Sequence, residues 1–153
     1  MTQRVEFATV RDRLAVDALI TDYAAAVDDG DWAAYRALFT PDGRADHRSA
    51  GGVEGDVEQV AAWFAESTRP FAMRQHLIVN RRLRFGVLDQ AAGDTAEMRA
   101  DYINPMRRAG TQDAPTAPDF VCGGRYVFGV LRMDDGWRLH RVTVQEKWRR
   151  TDG

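Results

Sequence analysis

The chain has 153 residues, 44% apolar and 29% charged, with 21 basic and 23 acidic side chains for a formal charge of −2. Its length fits one domain over 1–153 with a core at about 9–148, and burying roughly 68–70% of the unfolded surface leaves room for a core and an internal pocket. A single cysteine, Cys122, excludes an intramolecular disulfide framework; no apolar run reaches the ~18–20 residues of a membrane span, and the cations are too scattered for a nucleic-acid or anionic-lipid stripe. A neutral or weakly charged small molecule is the expected partner. With no apolar leader at the N-terminus, the cytoplasm is the expected compartment.

In chain order, Val16, Leu19, Ile20, Tyr23, Ala24 and Val27 recur at three- and four-residue steps, which predicts a helix closed by Gly30. Asp31 is placed to cap a second helix carrying Trp32, Tyr35, Leu38 and Phe39, stopped by the turn formers Thr40-Pro41-Asp42-Gly43. A third helix starts near residue 57 behind a capping box of Asp56 and Gln59, with Val57, Val60, Ala61 and Phe64 as its apolar row, and ends near Thr68 ahead of Pro70.

From Phe71 the period changes to two. A first long strand places His76, Ile78 and Asn80 on one face and Leu77, Val79 and Arg81 on the other. Ala92-Gly93-Asp94 turns into a strand over Thr95–Met106, and Asp134-Asp135-Gly136 joins Tyr126–Met133 to Trp137–Trp148 as a hairpin. Between these pairs, Ala109–Asp119 with Pro115 and Pro118 is long enough to act as a lid. Helices first and strands after predict an α+β fold, a cone in which three helices lean across a curved, mostly antiparallel sheet that encloses a pocket.

Phosphate loops, dinucleotide fingerprints, zinc-protease motifs, paired cysteines and nucleophile elbows are all absent. What remains is a scattered set of tyrosine, aspartate and histidine. Asp28 falls at the rim of the first helix's apolar stripe; it is either a solvated residue of the last turn or a functional carboxylate. Tyr23 lies inside the stripe, as a core tyrosine or a hydroxyl donor. His76 among apolar neighbours is a core histidine or an imidazole that titrates near neutrality. Facing one cavity, these three would provide donor, orienting carboxylate and base.

His47 follows Asp46 in a polar stretch and is expected to be solvated, while a metal site from Asp46, His47, His76 and His140 lacks ligand spacing. Asp101 and Arg141 are an acid and a cation on long strands, whose bland alternative is surface pairing. Ala96, Met98, Ala100 and Tyr102 form the apolar face opposite Asp101. Trp63, Phe71, Met98, Tyr102, Tyr126 and Phe128 are candidates for an apolar pocket wall.

The segments YAAAVDDGDWAAYRALFTPDGRADH, RQHLIVN, GDTAEMRADY and GGRYVFGVLRMDDGWRLHR together resemble the SnoaL-like branch of the nuclear-transport-factor-2-like superfamily over about residues 9–145. That branch includes scytalone dehydratase, bile-acid 7α-dehydratase, ketosteroid isomerase and polyketide cyclases. The resemblance implies a cone fold, no cofactor and a homo-oligomer, dimer or trimer; that no metal is expected rests on the missing ligand spacing. It matches Tyr23 and Asp28 to the helix-borne tyrosine and aspartate of the dehydratases and His76 to their strand-borne histidine. Allowing a short insertion, Asp101 and Arg141 match the second acid and the arginine of bile-acid 7α-dehydratase, and Asn80 and Tyr126 fall on family positions.

The expected activity is therefore a cofactor-independent lyase or isomerase, most simply a dehydratase, acting beside a carbonyl of a polyketide intermediate, steroid or similar ring compound. The catalytic set would be Tyr23, Asp28 and His76. Asn80, Asp101, Tyr102, Tyr126, Arg141, Trp63, Phe71 and Met98 would surround the substrate. Aldol ring closure or epoxide opening would use the same pocket. A non-catalytic ligand carrier, or an accessory subunit of a ring-hydroxylating dioxygenase, is the alternative from another class.

Overall fold

A computed structural model describes residues 2–110 and 117–152. The first helix, α1 (Thr2–Asp29), buries Val16, Leu19, Ile20, Tyr23 and Val27, the stripe that the spacing marks. It stops at Gly30, where φ is +66° and any Cβ would also crowd the Arg74 guanidinium. Asp31 then caps α2 (Trp32–Ala37) by accepting the Ala34 N–H at 3.0 Å.

Phe39 to Gly43 is not a helix end followed by a turn. These residues open a strand, β1 (Phe39–Asp46), whose pairing slips between Phe39 and Arg44, so the turn formers are absorbed as an irregularity inside the strand. A single 3₁₀ turn (Arg48–Ala50) and β2 (Glu54–Asp56) lead to α3 (Val57–Ser67). Its capping box is formed as expected, with Asp56 accepting from the Gln59 amide and the Gln59 side chain accepting from Asp56.

The remaining chain is β3 (Phe71–Arg74), β4 (Leu77–Phe85), β5 (Thr95–Arg108), β6 (Phe120–Met133) and β7 (Gly136–Thr151). The sheet order is β2-β1-β7-β6-β5-β3, with β4 also on β5; β1 and β7 run parallel and the other pairs antiparallel. The expected first long strand is thus two, β3 and β4, with Gln75 and His76 in the gap between them. The three helices pack on this strongly curved mixed sheet to make a cone-like half-barrel of the α+β class. Strand alternation sends Ala96, Met98, Ala100, Tyr102 and Asn104 of β5 inward and leaves Glu97, Arg99, Asp101 and Ile103 on the other face. Within the expected lid, residues 111–116 lie outside the described part of the chain. Among the described residues no helix is long and apolar enough to cross a membrane.

Candidate active site

The open end of the half-barrel holds a cavity of about 280 Å³. Its walls are mostly apolar and aromatic, from Trp63 and Phe64 of α3, Phe71 of β3, Tyr102 of β5, and Phe120 and Tyr126 of β6. Four of the expected wall residues, Trp63, Phe71, Tyr102 and Tyr126, are there. His76 lines it too.

His76 is anchored through two atoms. Because it lies between β3 and β4, its backbone N–H is free of the ladder and donates to Asp28 Oδ2 at 2.8 Å, while ring Nδ1 lies 2.6 Å from Asp28 Oδ1. The two side chains are 7% and 16% exposed, so little water competes for the pair. In the tautomer that donates from Nδ1 to Asp28, Nε2 is the ring nitrogen that carries the lone pair. Asp28 thus serves the ring from behind; it is not itself part of the pocket wall.

Tyr23 is fully buried but does not line the pocket. It packs edge-on against Tyr126 and Phe128, with ring centroids 5.6 and 5.3 Å apart. Tyr126 lies near enough to bias its ionisation, yet the Tyr23 hydroxyl has no partner in hydrogen-bonding geometry. Burial foremost, then the neighbouring phenols, push its pKa well above the usual value, and burial does the same to Tyr102 and Tyr126. The phenols that border the cavity beside His76 are therefore Tyr102 and Tyr126, each with its ring centroid 6.4 Å from the imidazole and protonated at working pH.

Four other expected residues fall elsewhere. Asn80 takes φ +53° where the β4–β5 register slips between Val79 and Arg82, which turns its amide outward to donate to Asp101 Oδ2 at 3.3 Å. Asp101 also accepts from Arg125 Nε at 3.0 Å, a cross-strand pair on the face away from the helices. Arg141 is exposed on that same side of β7. Met98 is a core residue and does not line the cavity.

The structure also brings in residues that the sequence reading missed. His47 is buried, not solvated: the i, i+2 alternation of Gly43, Ala45 and His47 continues past β1 and turns the ring inward. It stacks on Trp63 at 5.3 Å and meets Phe64 edge-on at 4.7 Å, with Nε2 lacking a partner. Desolvation first, and His76 second, press its pKa down to about 3, so it is neutral. Asn104 is buried in the wall with Oδ1 unpartnered, and Arg74, Glu146 and Arg149 reach the rim. Cys122 is a buried thiol whose pKa burial pushes up to about 11. Of the weighed metal set, Asp46 is paired with Arg48 and His140 with Thr40, and among the described residues no group of three or more His, Cys, Asp or Glu could hold an ion.

The SnoaL-like domain model matches residues 8–143, nearly the whole of the described chain. The protein belongs to the SnoaL-like family. An uncharacterised relative in Mycobacterium tuberculosis is 31% identical over 134 residues, covering 88% of this chain and 84% of that protein. A provisionally assigned aromatic ring hydroxylase from Novosphingobium aromaticivorans is 26% identical in sequence, with a TM-score of 0.74 and 91% coverage of both chains. At 15–16% identity the likeness is one of fold. A provisionally assigned scytalone dehydratase from the same species (TM-score 0.74, 16% identity) covers 100% of this chain and 93% of its own. For the hexachlorocyclohexane dehydrochlorinase LinA-type3 from Novosphingobium barchaimii the figures are 0.77, 15%, 95% and 93%.

Proposed function

We propose that this SnoaL-like protein is a cofactor-independent lyase of the dehydratase type, acting on a small ring compound beside a carbonyl. The observation that carries the reading is the double anchoring of His76 by Asp28 at 2.6 and 2.8 Å on the wall of an aromatic cavity. Nε2 of His76 takes the proton alpha to the carbonyl, the C–H electrons form the new C=C bond, and the β-hydroxyl leaves as water with the proton that His76 returns. Charge builds on the carbonyl oxygen during this step. Neutral donors in a dry site suit that charge, and Tyr102, Tyr126 and the neutral His47 are the available ones. The fold likenesses to a scytalone dehydratase and a dehydrochlorinase agree with elimination chemistry.

The test uses a β-hydroxy-tetralone, whose dehydration gives a fluorescent naphthol. Wild type should turn it over, and His76→Ala should lose about 10²–10⁴-fold in kcat with unchanged circular dichroism and probe affinity. Asp28→Asn should lose a comparable part. Unchanged turnover in both variants removes the mechanism.

A further inference from the structure

The charges at the cavity rim are unequal. Arg149 donates Nε and one terminal nitrogen to Glu146 Oε2 at 2.9 and 2.7 Å, and a further bond to the Ala50 carbonyl, so that cation is already neutralised. Arg74 differs. Its Nε donates to the Val27 carbonyl at 2.8 Å, which steadies the C-terminal end of α1, but its guanidinium has no ion-pair partner among the described residues. Asp28 and Asp29 act on it from beyond ion-pair distance. The terminal nitrogens form a planar two-donor fork, held by the Nε contact and seated over Gly30, where a Cβ would come within 3.0 Å of one of them.

Arg74 ends β3 and His76 follows two residues later in the gap before β4; both line the cavity, and two residues of chain span at most about 7 Å. Depth differs as well: Arg74, Met106 and Phe120 are half-exposed, whereas Tyr102, Asn104, Cys122 and Tyr126 below them are buried. A molecule reaching the imidazole therefore passes the guanidinium, one ring's width away. We propose that Arg74 is a specificity-determining residue that receives a carboxylate of the substrate at the rim, so that the preferred substrate is a ring compound bearing an acid group about one ring away from the acidic C–H. This rests on the reading above only for where the reacting carbon sits. It also sharpens the expectation of a neutral or weakly charged ligand, because a net charge of −2 over the whole chain is silent about one unpaired guanidinium.

The experiment compares naphthoate with its methyl ester by titration calorimetry at neutral pH. Wild type should bind the acid at least about tenfold more tightly, and Arg74→Gln should bring the two ligands within about twofold while leaving ester affinity in place. Arg149→Gln should keep the preference. If Arg74→Gln fails to fold, Arg74→Lys retains a cation at the helix end but not the fork, and its preference should fall at least about threefold. No preference in wild type, a preference kept by Arg74→Gln or Arg74→Lys, or one abolished by Arg149→Gln overturns the proposal. A variant that melts earlier yet still prefers the acid has lost only a helix cap, which is equally fatal. The His76→Ala protein should keep the preference and lose turnover, so the two readings fail separately.

Discussion

Gly124 of β6 abuts the carbonyl of Gln145 in β7 so closely that a Cβ there would overlap the oxygen and come within 2.9 Å of Glu146 Cα. The neighbours are backbone atoms at a slip in the ladder between Gly123 and Gly124, and they have no rotamer to escape into. Gly124→Ala should therefore cost about 2–3 kcal/mol. At Gly123 the obstacle is the Trp148 ring at 2.5 Å, which is 45% exposed and free to swing, so Gly123→Ala should cost under about 1 kcal/mol. Urea denaturation of both variants checks the contrast; equal losses contradict it.

His47 makes stability depend on acid. Its folded pKa of about 3 lies below the ordinary 6.5, so between these values the unfolded chain binds the proton and the folded one does not. The contribution is complete above pH 6.5 and fades as pH falls. Between pH 6.5 and 5 it amounts to about 2 kcal/mol. His47→Gln should show a shallower acid limb by that amount in urea midpoints, whereas an identical limb would contradict a buried neutral ring.

The two partner tyrosines should separate. Tyr23→Phe removes a buried hydroxyl that has no partner in hydrogen-bonding geometry, so stability should hold within about 1 kcal/mol and turnover within about threefold. Tyr126→Phe removes a phenol from the cavity wall, and kcat should drop about 10–100-fold. The reverse order would return Tyr23 to the reacting centre.

Asp101→Asn and Arg141→Ala test the outer face. Asp101 engages Asn80 and Arg125, and Arg141 is exposed, so each variant should keep turnover within about twofold. A large kinetic loss in either would mean that the face away from the helices takes part.

The helices were readable because each carries its own punctuation: Gly30, Asp31 and the Asp56–Gln59 box act within a few residues. Asp28 and His76 were readable as types and through family resemblance, and the fold joins them. Asn80 misled because strict alternation carried it inward, while a left-handed residue at a ladder slip reverses the face, and nothing in VNRR announces that. His47 misled in the opposite way. Its charged neighbours Asp46 and Arg48 satisfy each other and point away, and only the small residues Gly43 and Ala45 two and four places earlier mark its side as inward. Arg74 depends on the unpaired state of a guanidinium, a property of three-dimensional surroundings that no spacing encodes.

The missing stitch between β3 and β4 ties two events together. Since the amide of residue 76 is fastened to the end of the long helix and not to a neighbouring strand, a chain whose helix has not yet seated would own a finished sheet but an imidazole without orientation. If His76 moves the proton as proposed, that competence depends on the seated helix end, and it should vanish ahead of the strands when the helix end loosens.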